Sequence, residues 1–171
     1  MKDYRAFYEK QTALLRKMKN PALLLKILDK SLTIAIALLC AIGNVIALFG
    51  VFNTTLPPII AFLIPTAGTL VCVEILRSLF PRKRPYAKGG AGINPICQKK
   101  KESNSFPSRH VASAFVIGVS FCPVAPWLGI PVLVLGCALA YVRFLCGYHY
   151  PSDLLGGAVL GTLWGLLILV L

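Results

Sequence analysis

The chain has 171 residues and a formal net charge of +12, yet only 14% of its residues are charged and 57% are hydrophobic. Soluble domains are usually about 45–50% apolar and about 25% charged, so this composition excludes an ordinary water-soluble protein. The basic residues alternate with long apolar runs instead of covering a polar fold. This distribution argues against nucleic acid as a partner and favours an anionic membrane surface and an anionic substrate.

The N-terminal residues predict a helix that lies in the membrane interface. Residues 1–20 place aromatic and aliphatic side chains on one helical face, with lysine and arginine mostly around the rest. This is the pattern of a basic amphipathic helix, although a simple solvated tail is the alternative. A proline at position 21 predicts the end of this helix. We therefore divide the chain into an amphipathic interfacial segment, residues 1–30, and a transmembrane domain, residues 31–171.

Five apolar stretches follow, and each is a candidate membrane span. They are residues 32–52, 56–79, 107–121, 127–145 and 151–171. A turn at 53–55 and a proline-containing break at 122–126 separate neighbouring spans. The last span carries Gly157, Gly161 and Gly165 at four-residue spacing, which lets another helix approach closely. The predicted fold class is all-α, a polytopic transmembrane bundle of about five spans preceded by the basic amphipathic helix.

Three polar clusters stand where apolar helices meet loops, and the hairpin topology puts all three on one side of the membrane. The first contains Arg77 and Arg84, whose guanidiniums can form forked, charge-assisted bonds to phosphate oxygens. Glu74 precedes Arg77 by three residues, which predicts an ion pair on one helix face.

The second cluster is a run of four residues, Pro107 to His110, immediately before an apolar helix. Pro107 suits the first helical turn. The free N–H groups of a helix start bind anions, and the Ser108 hydroxyl adds a donor beside His110. An ordinary helix cap with an interfacial histidine is the alternative for this cluster alone.

The third cluster contains Arg143, His149 and Asp153. An arginine and an aspartate at the ends of apolar spans are costly unless they are paired or hydrated. Asp153 is close enough in sequence to hold one ring nitrogen of His149 and to raise the basicity of the other. Because the two histidines of the chain, His110 and His149, both lie at span ends on one side, the three clusters together favour a single anion site.

The ordered pattern basic-x6-Arg-Pro, Pro-Ser-x-His and Arg-x5-His-x3-Asp resembles the three-part signature of the type 2 phosphatidic acid phosphatases, which are related to vanadium haloperoxidases. The resemblance covers residues 56–171. Two positions depart from the family pattern: Arg77 stands where lysine is more usual, and Arg109 stands where glycine is usual. The Arg109 side chain would either crowd the phosphate or add a contact to it.

The resemblance implies a role for each matching residue. His149 would be the nucleophile, His110 would protonate the leaving oxygen, and Asp153 would orient His149. The phosphoryl oxygens would be held by the remaining motif residues, Arg77, Arg84, Ser108, Arg143 and the backbone N–H of Arg109. Phosphoryl transfer needs positioning and charge neutralisation, which four arginines can supply. No metal or cofactor is expected, since the acids are scattered and no CxxC pair occurs.

The sequence thus predicts an integral-membrane phosphatase acting on a lipid phosphate or a polyprenyl (di)phosphate. A vanadate-dependent haloperoxidase would share the anion site, but membrane burial argues against it. A non-catalytic lipid or anion binder, or a transporter, is the alternative from a different class. The lysines and arginines lie in the N-terminal segment, in the region 77–109 and at Arg143, which one face of a five-span protein would share. The positive-inside rule then places the active site on the cytoplasmic face of the cell membrane.

Overall fold

The computed structural model describes residues 2–49, 56–98 and 102–171, and these residues form helices and loops without a strand. The helices are α1 (Lys2–Arg16), α2 (Pro21–Leu48), α3 (Pro58–Leu79), α4 (Arg109–Phe121), α5 (Pro126–Leu145) and α6 (Pro151–Gly165), with a final 3-10 turn at Leu166–Leu169. The predicted all-α class is confirmed. The predicted turn at 53–55 lies outside the described residues.

Four of the helices are long and apolar enough to cross a membrane, namely Pro21–Leu48, Ile59–Leu79, Pro126–Leu145 and Pro151–Leu169. The fifth apolar helix, α4, has 13 residues, or about 20 Å at 1.5 Å per residue, which is less than the hydrocarbon thickness of a bilayer. It packs against α3, α5 and α6 in the middle of the bundle. The chain is a multi-pass membrane protein in which the shortest apolar helix is the central one.

Two helix starts differ from the sequence-based expectation. The first membrane helix begins at Pro21 rather than at residue 32, because a proline suits the first helical position. Its charged residue Asp29, which is partly buried, forms an ion pair with the buried Arg143 on α5, 2.9 Å apart. Helix α4 begins at Arg109 with Ser108 as its N-cap, so Pro107 lies before the helix and not in its first turn. The proposed division of the chain at residue 30 remains a prediction.

Helix α1 packs onto the loops at one end of the bundle. Tyr8 is fully buried, and its hydroxyl donates to the Leu145 carbonyl at 2.8 Å and accepts from the Ile96 N–H at 3.3 Å. The rings of Tyr4 and Tyr150 lie 5.0 Å apart. The buried face of this helix therefore contacts the α5–α6 connection, while Arg5, Lys10 and Arg16 are exposed.

The three glycines of α6 permit the close helix contact that their spacing predicts, and the partner is α4 with the residue before it. A Cβ atom built at Gly157 would lie 2.6 Å from the Ser108 carbonyl oxygen on the chain leading into α4. A Cβ atom built at Gly161 would meet the Ala112 carbonyl oxygen, and one built at Gly165 would lie 2.8 Å from the Val119 side chain. Helices α4 and α6 carry residues from different motifs. The close contact between the two helices therefore fixes the distance between the two motifs.

Gly157→Ala is expected to lower the free energy of unfolding by about 1–3 kcal/mol, because the added methyl must push α6 away from α4. The shift would also separate Ser108 from Asp153, so phosphate release should fall as well. Thermal unfolding in detergent measures the first effect. Leu155→Ala is the control, since Leu155 lies on the same helix and is 66% exposed. Equal unfolding temperatures for Gly157→Ala and the wild type would contradict the prediction.

Candidate active site

His149 lies in the connection between α5 and α6 and is only 2% exposed. Its Nδ1 atom is 2.9 Å from the Ser105 carbonyl oxygen. A carbonyl can only accept, so Nδ1 carries the proton and the lone pair of the neutral ring is on Nε2. This is the tautomer that a nucleophilic histidine requires if Nε2 is to attack.

Asp153 supports His149 less directly than the spacing suggested. Its Oδ2 atom is 3.7 Å from Nδ1 of His149, which is beyond a normal hydrogen bond. The carboxylate instead accepts bonds from the Ser105 hydroxyl, from Arg82 at 2.7 Å and from the Tyr150 N–H at 2.9 Å. Asp153 therefore holds Ser105 in place, and the Ser105 carbonyl orients the imidazole. The carboxylate also remains near enough to favour protonation of the His149 ring.

Ser105 and Arg82 are absent from the residues that the sequence motifs identified. The functional group of Ser105 is partly its backbone carbonyl, which no residue type signals. Arg82 is one of several basic residues in its loop, and it is distinguished only by its partners in the fold. It stacks over the Tyr150 ring with its guanidinium carbon 4.1 Å from the centroid, and it also donates to Ser152 at 2.7 Å.

Three predicted arginines are almost completely buried: Arg77, Arg84 and Arg143 are 5%, 7% and 3% exposed. Arg77 donates twice to the Pro107 carbonyl, at 3.1 Å and 3.0 Å. Arg84 donates to the Tyr148 carbonyl at 3.0 Å. Arg77 also lies 3.6 Å from Glu74, and Arg143 pairs with Asp29. Among the described residues, Arg84 is the one of the three that has no carboxylate within salt-bridge distance, and its uncompensated charge favours an anion nearby.

The same contacts bring the three sequence clusters together. Arg77 joins the first cluster to the second through Pro107, and Arg84 joins the first to the third through Tyr148. The second and third meet where the Ser108 N–H donates to the Asp153 carbonyl at 2.9 Å. The predicted convergence of separate helix ends is therefore present in the fold.

Two buried donors at this junction have no hydrogen-bond partner among the described residues. They are the Ser108 hydroxyl and Nε of Arg84. An unsatisfied buried polar group costs about 1–3 kcal/mol, so such groups usually have a partner in the protein, in ordered water or in a ligand. The N–H of Arg109 is near them, and as the first residue of α4 it belongs to the N–H groups that have no acceptor within the helix. The arrangement suits the oxygens of a tetrahedral anion.

His110 lies on the first turn of α4, where the polar junction meets an apolar cavity of about 430 Å³. The cavity is lined by residues of α2, α3, α4 and α5. Two of its lining residues, Ala37 and Leu70, are exposed on the outside of the bundle. It therefore connects the lipid-facing surface with the position of His110.

The Arg109 side chain binds Glu74 on α3. The distance from Nη1 of Arg109 to Oε1 of Glu74 is 3.0 Å, and Arg77 is 3.6 Å from the same oxygen. The predicted pairing of Glu74 with Arg77 is present, and Arg109 is a second partner. Both members of the Arg109–Glu74 pair are about half exposed, so this pair lies at the edge of the site.

Burial lowers the pKa of His149 below its ordinary value of 6.5, and the nearby Arg84 and Arg143 lower it further. Asp153 acts in the opposite direction and raises the pKa. The imidazole is therefore neutral at physiological pH, and it becomes protonated only as the pH falls through its lowered pKa.

Asp153→Asn is expected to shift the acidic limb of the kcat/KM profile to lower pH, because the carboxylate that favours protonated His149 is gone. The plateau should also fall, since Ser105 loses its partner. Profiles of kcat/KM for phosphate release, with one substrate for all variants, measure both effects. Ser152→Ala is the control, because it removes another Arg82 contact and keeps Asp153. A shift of the acidic limb to higher pH in Asp153→Asn would contradict the prediction, since it would mean that the carboxylate disfavours the protonated ring.

The fold and the candidate site define a helical membrane protein with a cluster of buried arginines at its helix ends. The sequence profile described as the PAP2 superfamily matches residues 58–171, so the chain belongs to the PAP2 superfamily. This confirms the family resemblance in the motifs. Members of this superfamily are phosphatases, and relatives of this chain include enzymes named for lipid phosphates and polyprenyl diphosphates.

Curated relatives resemble parts of the chain. YbjG of Escherichia coli strain K12, a putative undecaprenyl-diphosphatase by name, is 31% identical over 106 residues, which are 61% of this chain and 52% of that protein. The lipid A 4'-phosphatase of Bacteroides thetaiotaomicron is 30% identical over 109 residues, 58% of this chain and 47% of that protein. The undecaprenyl-diphosphatase BcrC of Bacillus subtilis is 33% identical over 63 residues, which are 37% of this chain and 33% of that protein. The chain thus spans about half the length of the first two relatives and about a third of the last one.

The fold has a counterpart among solved structures. The crystal structure of Aquifex aeolicus LpxE superimposes with a TM-score of 0.61 at 21% sequence identity, covering 86% of this chain and 93% of that one. This likeness concerns the arrangement of helices alone.

Proposed function

We propose that this protein is a membrane phosphatase that hydrolyses a lipid phosphate or a polyprenyl (di)phosphate through a phosphohistidine intermediate, without a metal ion. The observation that carries the proposal is the meeting of a buried neutral histidine with buried donors that have no protein partner among the described residues. His149 supplies the nucleophile. The Ser108 hydroxyl and Nε of Arg84 are the buried donors at this junction without a partner in the described part of the chain, which we call the open donors.

The proposed reaction has two steps at one phosphorus atom. In the first, Nε2 of His149 attacks, the bond from phosphorus to the leaving oxygen breaks, and that oxygen takes a proton from His110. In the second, His110 accepts a proton from water as the water oxygen attacks the phosphohistidine. The P–N bond breaks, its electron pair returns to Nε2, and inorganic phosphate leaves. Arg84 neutralises charge on the equatorial oxygens in both steps, and Arg77 and Arg143, which also face Glu74 and Asp29, add to the positive field around them.

The apolar cavity beside His110 supports a lipid substrate over a soluble one. Its volume of about 430 Å³ and its lining by Ile36, Leu70, Ile117 and Leu139 suit a hydrocarbon segment. A lipid entering from the bilayer would keep its tail in the cavity while its phosphate reached the buried arginines. The relatives named for lipid A and for undecaprenyl diphosphate act on molecules of this kind by name.

Phosphate release in detergent tests the proposal, with phosphatidate, a polyprenyl monophosphate and a polyprenyl diphosphate as substrates. Release that persists in EDTA and stops with vanadate is the expected result, together with an acid-labile phosphoprotein during turnover. Tight binding of every lipid without release would favour the non-catalytic binder or transporter instead. Release that disappears in EDTA and returns with a divalent cation would overturn the metal-free mechanism.

We propose that the active site lies on the cytoplasmic face, because the basic residues of α1, of the described parts of loop 80–108 and of the candidate site share one end of the bundle. Lys83 and Lys88 are exposed in that loop. A membrane-impermeant amine reagent should modify them in inverted vesicles and not in right-side-out vesicles. The reverse labelling pattern would put the site on the opposite face.

A further inference from the structure

The Arg109–Glu74 pair is a part of the site that the proposed mechanism leaves unused. Arg109 is about half exposed, and so is Glu74. An ion pair this exposed contributes little to stability, because water solvates both charges. The guanidinium can therefore leave Glu74 for another anion at small cost.

The position of Arg109 indicates where that anion would be. Arg109 and His110 are neighbours at the start of α4, and both line the apolar cavity. Ser108, one residue earlier, is fully buried in the anion site. Arg109 therefore stands at the boundary between the buried arginines and the space for a lipid tail.

Two classes of substrate would place different leaving groups at this boundary. When a lipid monophosphate is hydrolysed, the oxygen beside His110 belongs to an alcohol, and an uncharged chain enters the cavity directly. When a lipid diphosphate is hydrolysed at its terminal phosphorus, the bridging oxygen beside His110 belongs to a second phosphate. That inner phosphate carries negative charge and must lie between His110 and the start of the tail. A cation at the mouth of the cavity would stabilise it.

We propose that Arg109 is a specificity-determining residue that binds the inner phosphate of a lipid diphosphate, and that Glu74 holds its guanidinium while the site is empty. The inference rests on the proposed phosphatase function and adds a substrate class to it. In the reaction, the bond from the terminal phosphorus to the bridging oxygen breaks, and His110 protonates that oxygen. The products are a lipid monophosphate and, after hydrolysis of the phosphohistidine, inorganic phosphate.

The test compares farnesyl diphosphate with farnesyl monophosphate, which share one tail and differ by one phosphate. Initial rates of phosphate release in detergent give the ratio of kcat/KM for the two substrates. We expect Arg109→Gln and Arg109→Gly to lower this ratio by about 10- to 100-fold, the effect of one lost hydrogen bond to a charged group. Arg109→Lys should retain most of the ratio, because it keeps a cation at the cavity mouth.

Glu74→Gln is the matched control, since it breaks the same ion pair but leaves the guanidinium in place. The proposal expects no fall in the ratio for this variant. An unchanged ratio in Arg109→Gln and Arg109→Gly, or an equal fall in these variants and in Glu74→Gln, would overturn the inference and leave the phosphatase function standing. Wild-type protein that releases phosphate from neither substrate nor from phosphatidate would instead overturn the proposed function.

Discussion

His149→Ala is expected to reduce phosphate release by about 10⁴-fold or more, which is the scale seen when a nucleophile is removed from an enzyme that uses covalent catalysis. The wild-type imidazole is buried, neutral and oriented by the Ser105 carbonyl at 2.9 Å, so its removal takes away the proposed nucleophile. Single-turnover release of radiolabelled phosphate measures the loss. The phosphoprotein formed by the wild type should be absent.

Binding separates the loss of the nucleophile from a general collapse of the site. The open donors on Ser108 and Arg84 do not depend on the imidazole, so the variant should still bind a lipid phosphate. Thermal unfolding in detergent should show that the fold persists, since the alanine removes a ring and leaves the Ser105–Asp153 bond in place. A variant that binds substrate, unfolds like the wild type and still releases phosphate within about tenfold of the wild-type rate would eliminate His149 as the nucleophile.

The membrane fold could be predicted because apolar runs of span length are a strong signal, whereas the start of α2 could not. Lys26, Asp29 and Lys30 interrupt the hydropathy at that point. One of these charges, Asp29, is neutralised by Arg143 on α5, 2.9 Å away. Hydropathy considers neighbouring residues alone and cannot detect a partner so far along the chain. A rule based on hydropathy therefore counts Asp29 as an unpaired charge and starts the span too late.

The candidate site could be predicted only in part. The motif spacing singled out the histidines, the arginines and Asp153 as candidates, because side chains of a specific type must recur in order along the chain, and their roles stay predictions. The spacing suggested a direct bond from Asp153 to His149, but the loop path inserts the Ser105 carbonyl between them. Side-chain direction was equally hidden, since nothing in the sequence indicates that Arg109 turns toward Glu74.

Arg84→Gln is expected to lower kcat/KM for phosphate release by about 10²–10³-fold, the usual cost of removing one preorganised donor from developing charge. Arg84 is 7% exposed. Its Nη1 atom donates to Tyr148, next to His149, and its Nε atom has no partner among the described residues. Glutamine keeps a donor that can reach the Tyr148 carbonyl but removes the charge and the fork that phosphate oxygens require.

The neighbouring residue supplies the matched control for this variant. Lys83 is exposed, so Lys83→Gln removes the same unit of charge from the same loop without entering the site. If Arg84 binds the phosphoryl group, Lys83→Gln should change kcat/KM less than about threefold, because exposed charges are screened by salt. Equal losses in the two variants that disappear at high ionic strength would show that the loop only attracts the anionic lipid. The phosphate would then be bound by Arg77, Arg143 and Ser108 without Arg84.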